Sequence, residues 1–294
     1  MLAGLSMTAH LLLERLSPRA PLPRVPEPEL VMNDDARNAA FEAVGREDGT
    51  LAFIHLYQAL QITPLVRPGD QVLDLGCGPA NQLVQIARIN PATHFVGLDA
   101  SQAMLDRARE TIRRCGIANA ESIRGDMTTL SQFGDAAFDA VISTMSLHHL
   151  QDEVALARTM QAVRRVLKAG GALYLIDFGR CKHKVTQRFF AHERRDSQPE
   201  AFTRDYMNSL RAAFSVDELA RAVQVFDRRL SRFQTALTPF MILFKTPPRR
   251  QPDQTNRRMA RTLYSGLSAA QRYDFDRFAR WFRLGGLALP FTPD

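Results

Sequence analysis

Cysteine is scarce in this chain of 294 residues: Cys77, Cys115 and Cys181 stand far apart. Three scattered thiols make neither a disulfide framework nor a metal-ligand cluster, so a packed core must hold the fold, and nothing argues for export. No apolar run reaches the roughly 20 residues that a membrane-spanning helix needs. Leu11-Leu12-Leu13 has no basic residue before it and no small-residue cleavage signal after it. That pattern speaks against a secretory leader and leaves the cytoplasm as the expected compartment.

An even spread of charge is also missing. The net charge is +7, but residues 247–294 hold nine arginines against four aspartates, while in residues 1–32 three arginines balance three glutamates. The middle therefore carries only +2, and the high pI says little about what that region binds. With 45% hydrophobic and 23% charged residues, the chain has ordinary globular composition. The expected division is an N-terminal arm over 1–32, a main domain over 33–246 and a basic helical extension over 247–294. Pro18, Pro21, Pro23, Pro26 and Pro28 make the arm an extended, mobile connector, and Pro247, Pro248 and Pro252 mark the second joint.

The organising stretch is Val72 to Asn81. A short apolar strand, Gln71–Leu75, runs into a turn at Gly76 and Gly78, and a helix follows with Pro79 suited to its first turn. This geometry lets backbone approach a ligand at a helix N-terminus. The third glycine of a dinucleotide fingerprint is absent, because Asn81 stands there. From this point strands and helices alternate: strands near 94–99, 121–125, 138–143 and 172–177, with helices near 79–89, 102–114 and 152–168. The pattern predicts a doubly wound α/β fold with a mostly parallel sheet. A helical insert follows over 178–226, then two strands, 228–235 and 238–245, joined by a short turn near Ala236. Two helices precede the first strand, one capped within Asn33-Asp34-Asp35 and one over 51–62, and are expected to act as a lid. In the extension, Ser268 with Gln271 reads as a capping box, and Phe275, Phe278 and Phe282 share a face.

Ligands of such sheets bind beyond the carboxyl ends of the strands. The first strand offers Asp74 there. The second ends at Asp99, 23 residues after Gly76, a spacing that suits a carboxylate on ribose hydroxyls. The third ends at Asp126 with Met127, and an acid there can accept from an exocyclic amine. The fourth leads through Ser143-Thr144-Met145 to His148 and His149.

These motifs resemble those of the Rossmann-like S-adenosylmethionine-dependent methyltransferases. Val72-Leu73-Asp74-Leu75-Gly76-Cys77-Gly78 is similar to that family's first motif, Asp99-Ala100-Ser101 with Met104 to its second, and Gly125-Asp126-Met127 to its third. Phe138-Asp139-Ala140-Val141 with Ser146-Leu147-His148-His149-Leu150 is similar to its fourth. The resemblance implies a seven-stranded sheet with an antiparallel last strand, and S-adenosyl-L-methionine as cofactor. It implies that Gly76 and Gly78 pass close to the methionine part, Asp74 holds its amino end and Asp99 binds the ribose. Ala100 and Met104 would then pack on the adenine, Asp126 and Met127 read its edge, and the Ser143 carbonyl meets the amino group.

In-line placement of the acceptor supplies most of such catalysis, with a base where the acceptor must lose a proton. His148 is the expected catalytic base. Tyr57, His149, Asp177, Arg180 and Tyr206 are the expected acceptor contacts. No metal is called for. Arg180, three residues past a strand end, points to a small anionic acceptor. A nicotinamide-dependent enzyme is disfavoured by Asp74 directly before the turn and by Asp126. RNA methylation is the rival, given the basic extension. Base-amine methyltransferases carry Asn or Asp, two prolines and an aromatic where Ser143-Thr144-Met145-Ser146 stands here, so nucleic acid is not the expected partner. Another reaction that consumes the same cofactor remains an alternative. The aromatic face of the extension is expected to dock on the insert or on a two-fold partner.

Overall fold

The computed structural model describes residues 2–29, 34–226 and 230–293. Among them, seven strands form one sheet in the order β3-β2-β1-β4-β5-β7-β6. The strands are β1 (Gln71–Leu75), β2 (His94–Asp99), β3 (Ala120–Arg124), β4 (Phe138–Thr144), β5 (Leu167–Phe178), β6 (Ser231–Gln234) and β7 (Met241–Lys245). The first five run parallel, while β7 is antiparallel to both β5 and β6. The expected doubly wound sheet with an antiparallel closing strand is therefore present. β1 is buried from Val72 to Leu75 because it lies between β2 and β4, with helices on both faces.

Helices α4 (Asn81–Ile89), α5 (Gln102–Arg114) and α6 (Glu153–Val166) cross between the parallel strands. Ser101 caps α5 by accepting from the Met104 amide at 3.2 Å, and Asp152 caps α6 from Ala155 at 2.8 Å. α4 has no such cap. It starts at Asn81, after Ala80 at φ 61°, so Pro79 belongs to the turn and not to the helix. β5 begins at Leu167, earlier than expected, and carries Gly170 and Gly171 within it. The link from β6 to β7 is wider than a tight turn, with the Thr235 hydroxyl donating to the Thr238 carbonyl at 2.7 Å inside it. Residues 228 and 229 of the expected strand lie outside the described residues.

Before the sheet come α1 (Leu2–Leu16), α2 (Asp35–Gly45) and α3 (Ala52–Ile62). Asp34 caps α2, accepting from the Arg37 amide at 2.8 Å; Asn33 lies outside the described residues. Asn81, in the third-glycine place, donates to the Glu42 carbonyl of α2 at 3.0 Å, and Gln82 donates to the His55 carbonyl of α3 at 3.0 Å. A glycine could not make the first bond, so this departure from the fingerprint fastens α2 to the helix that follows the glycine turn.

The insert contains α7 (Lys184–His192), α8 (Glu200–Ala212) and α9 (Val216–Ala222), and the extension contains α10 (Gln254–Gly266) and α11 (Ala269–Leu284). The Ser268–Gln271 capping box is formed. α10, with its own Asp253–Asn256 box, was not foreseen. The aromatic face of α11 packs on α3: Tyr57 stacks on Phe282 at 5.3 Å and meets Phe278 edge-on at 5.1 Å. That face was expected on the insert or on a partner; most of it is covered by α3, and Trp281 reaches the insert. The insert meets α11 as well: Phe190 stacks on Trp281 at 6.2 Å, and Arg194 pairs with Asp274 at 2.6 Å. Phe282 is fully buried. Phe282→Ala is expected to cost about 3–5 kcal/mol of stability, measured by urea unfolding. A loss below about 1 kcal/mol would show that α11 is not a structural part of the core.

Candidate functional site

Beyond the carboxyl ends of the parallel strands lies a cavity of about 680 Å³, walled by α2, α3, the glycine turn, the loop after β4, the insert, the β6–β7 loop and α11. Gly76, Gly78, Asp99, Ala100, Met104 and Met127 line one end. Gly76 has φ +68°, and a Cβ there would lie 2.5 Å from the Ser146 Cβ, so only glycine fits. Gly78 has φ +51°, and a Cβ would meet nothing closer than Phe41 at 3.7 Å. The first glycine is required by the protein's own packing; the second opens a backbone surface to the cavity.

Asp99 accepts from the Gly78 amide at 2.9 Å and from the Ser101 amide at 2.8 Å. Burial raises its pKa, and those amides partly offset the rise. Asp74 lies beneath the turn, 1% exposed, with neither carboxylate oxygen paired among the described residues. Burial, then the nearby Asp99, pushes its pKa up to about 8. An orphaned buried carboxylate under an open glycine turn matches the ammonium end of an amino-acid cofactor, and the carboxylate at the end of β2 matches a ribose.

Asp74 itself is not part of the cavity wall, and two more expected cofactor contacts sit elsewhere. Asp126 is exposed and closes its own turn, accepting from the Thr128 amide at 2.8 Å and the Thr128 hydroxyl at 2.9 Å; it does not line the cavity. Ser143 is fully buried, its hydroxyl 2.8 Å from that of Ser146, and the wall is made by Thr144, Met145 and Ser146 instead. Met145 adopts φ 54° there, a left-handed conformation costly for a side chain of this size.

The loop after β4 delivers two histidines. The His148 Nδ1 lies 2.7 Å from Asp177, which also accepts from the His148 amide at 2.9 Å. The His148 side chain is only 3% exposed. The His149 side chain is 28% exposed, lines the cavity, and places Nδ1 3.1 Å from Glu27. Glu27 is itself buried and 3.8 Å from the His148 Nε2. Burial pushes the Glu27 pKa up, but the His149 hydrogen bond and charge outweigh it and hold the carboxyl down at about 2. Burial lowers the His149 pKa, and Glu27 more than offsets this, leaving it raised. Glu27, His148 and His149 offer one ligand atom each within 4.8 Å of one another. A cation there would have to compete with the existing ion pair for the Glu27 carboxylate.

Glu27 escaped sequence reasoning because the arm reads as a mobile connector. It is instead strapped across the domain. Leu22 donates to the Cys181 carbonyl at 2.9 Å and Val25 to that of Arg211 at 3.0 Å. The Arg24 guanidinium donates to the carbonyls of His148, Leu150, Gln151 and Ala212. One arginine surrounded by four carbonyls fixes the strap that carries Glu27 to the histidines.

Three expected acceptor contacts are placed away from the cavity. Tyr57 is fully buried against α11, with its hydroxyl accepting from Gln61. Arg180 is ion-paired with Glu218 and donates to the Ala213 carbonyl at 2.9 Å. The guanidinium turns into the insert because those acceptors satisfy it there. Asp177 stands behind His148 and does not line the wall. Tyr206 does line it, beside Phe178 at 5.5 Å and Phe202 at 6.1 Å.

Residues 72–171, about a third of the chain, match the methyltransferase-domain family. The chain is 38% identical over 113 residues to the demethylmenaquinone methyltransferase of Listeria welshimeri, covering 38% of this chain and 46% of that protein. It is 33% identical over 121 residues to an uncharacterised 37.1 kDa protein of a Streptomyces fradiae transposon, covering 40% of this chain and 33% of that one. The chain thus spans less than half the length of these curated relatives. Among solved structures, a SAM-dependent methyltransferase from Aquifex aeolicus superposes with a TM-score of 0.53 at 16% identity, over 72% of this chain and 97% of that one. A putative S-adenosylmethionine-dependent methyltransferase from Methanococcus maripaludis gives 0.51 at 19%, over 74% and 92%. At these identities the superpositions establish the fold.

Proposed function

We propose that the protein is an S-adenosylmethionine-dependent methyltransferase that acts on a small-molecule acceptor bearing an acidic proton, a reading supported by the match of residues 72–171 to the methyltransferase-domain family. The observation that supports this best is the cavity itself. It joins the glycine turn and Asp99 at one end to a carboxylate-held imidazole, His149, in the same enclosure. When bound, S-adenosyl-L-methionine supplies a methyl group activated by its sulfonium. Gly78 would offer backbone to the methionine part, Asp74 would act on its ammonium from beneath the turn, Asp99 would take the ribose hydroxyls, and Ala100 and Met104 would flank the base.

Glu27 accepts the Nδ1 proton of neutral His149, which leaves Nε2 as the lone pair available to the acceptor. His149 takes the acceptor's proton, and the imidazolium formed is stabilised by Glu27. His148, held by Asp177, packs beside His149 with ring centroids 4.3 Å apart and fixes its plane. The base role expected of His148 passes to His149, whose side chain is the more open to the cavity. With Arg180 committed to Glu218, the basis for an anionic acceptor is gone. The remaining wall is mostly apolar, which favours a neutral acceptor with an apolar body. Nucleic acid would need a basic surface leading to the site; of the charged wall residues, Arg194, Arg277, Glu193 and Asp274 pair among themselves and Arg37 pairs with Asp205, which leaves Arg280. The acceptor named for the Listeria relative, a demethylmenaquinone, is a neutral molecule with an apolar body, as favoured here.

A screen of phenols, quinols, amines and small acids beside bulk RNA, following release of S-adenosylhomocysteine, tests the proposal. Turnover with an apolar phenol or quinol is expected. Turnover with RNA alone, suppressed by salt, would overturn it.

Asp74 yields a separate expectation. A carboxyl with a folded pKa near 8 and an unfolded value near 3.8 favours the folded state fully below about pH 3.8. That contribution is lost as pH rises towards 8. Asp74→Asn removes the loss. It is expected to raise stability at pH 8 by about 1–3 kcal/mol, the cost of an unsatisfied buried group, and to weaken S-adenosylhomocysteine binding. Melting curves at pH 5 and pH 8 check the first effect: a variant no more stable than the parent at pH 8 would remove the strain assigned to Asp74.

A further inference from the structure

The cavity does not end at the histidines. From His148 a row of rings leads away from the cofactor turn: Phe178 at 5.3 Å, then Phe240 at 5.9 Å, then Trp281 at 5.6 Å, with Phe190 stacked on Phe240 at 4.1 Å. All of these line the same enclosure. The limb reaches the surface between the β6–β7 loop and the end of α11. Its rim carries Leu237, 47% exposed, and Leu284, 73% exposed. Phe178, Phe190, Phe240, Trp281 and both leucines lie outside residues 72–171. The limb is therefore a property of this chain's insert, hairpin loop and extension.

A limb with apolar walls and apolar residues at its rim offers water few hydrogen-bond partners, so water gains little by filling it. Of the charges that border it, Arg194, Asp274, Arg277 and Glu193 are spent on one another, and Arg280 is exposed to solvent. Aromatic rings in succession present a continuous surface to a flexible hydrocarbon. We infer that this limb binds a linear apolar chain, alkyl or prenyl in character, that trails from the acceptor's reactive head at His149 and leaves the protein between Leu237 and Leu284. The inference rests on the proposed function for the identity of the head, while the chain site stands on its own walls.

Trp281 is the protein's single tryptophan, so the limb carries its own reporter. Titration of the full-length protein with 12-bromododecan-1-ol, in saturating S-adenosylhomocysteine, is expected to quench Trp281 emission. Competition by straight-chain alcohols from hexanol to tetradecanol should strengthen about two- to fourfold per methylene until the limb is full. Phe240→Arg should abolish quenching. Leu237→Asp, on an exposed loop that can accept it, should weaken the alcohols several-fold with an unchanged melting curve. Absence of quenching, an affinity independent of chain length, or displacement by S-adenosylhomocysteine would overturn the inference. If calorimetry finds no S-adenosylhomocysteine binding while chain-length-dependent quenching persists, the methyl-transfer proposal falls and the chain site survives.

Discussion

His149→Ala is expected to lower kcat by about 100- to 10,000-fold, the range contributed by a positioned general base, while S-adenosylhomocysteine binds with unchanged affinity. His149 lines the cavity but carries none of the hydrogen bonds that shape the glycine turn, which run from Leu98, Asp99 and Ser146. The pH profile separates a base from a packing residue. His149 must be neutral to accept a proton, and its pKa is raised by Glu27, so kcat/KM is expected to climb with pH through a value above 6.5. In Glu27→Gln the carboxylate that raises it most is gone and burial is opposed only by Asp177 and Asp99, so that limb moves to lower pH as the rate falls. The ion pair also shapes stability. The Glu27 contribution is present above about pH 4.5 and lost as pH falls through about 2; that of His149 is present below 6.5 and lost as pH rises through its raised value. The pair therefore supports the fold most between about pH 4.5 and 6.5. A His149→Ala enzyme with near-normal kcat would remove the base assignment, and a Glu27→Gln profile at the parent's position would remove the orienting role of Glu27.

The contrast between His149 and Arg180 shows where a sequence is legible and where it stops. Local pattern carried the sheet. The central strands β1, β2 and β4 are short apolar runs, and the acids at the strand ends fall at βαβ intervals, so Asp74 and Asp99 could be located from sequence; β3 and β6 carry no such run. Asp126 obeyed the same spacing, yet its carboxylate closes its own turn through Thr128. Spacing fixes where a residue lies along the chain and not which way its side chain turns. Arg180 failed for the same reason: two residues past β5 is within reach of the cavity, but the carbonyl of Ala213 and the carboxylate of Glu218 hold its guanidinium. Glu27 had no signal at all. A proline-rich arm has no periodicity to betray its docking, and the partners that strap it down are backbone carbonyls more than 120 residues away. Tyr57 was noticed as an aromatic on a lid helix. Its fate depended on α11, whose capping box was legible but whose landing place was not.

Asp99→Ala is expected to weaken binding of S-adenosylhomocysteine by at least 100-fold. Two effects add. The carboxylate at the end of β2 is the group suited to a ribose, and two charge-assisted hydrogen bonds at about 1.5–3 kcal/mol apiece give about 3–6 kcal/mol. The same carboxylate also accepts from Gly78 and Ser101, so its removal frees the amide of the very turn that must face the methionine part. Asp99→Asn separates the two. An amide oxygen can still accept one of the backbone N–H groups, but its NH2 group cannot replace the second acceptor and carries no charge. The asparagine variant should therefore keep the parent's melting temperature more nearly than the alanine variant while losing a comparable share of affinity. Asp74 provides an internal check, because the two carboxylates repel across the turn. Removing the Asp99 charge should lower the Asp74 pKa, so the destabilisation between about pH 4 and 8 becomes shallower in Asp99→Asn. Calorimetry showing parent-like affinity in both Asp99 variants would sink the ribose assignment. A pH–stability slope unchanged from the parent would show that burial alone, without the Asp99 charge, sets the Asp74 proton.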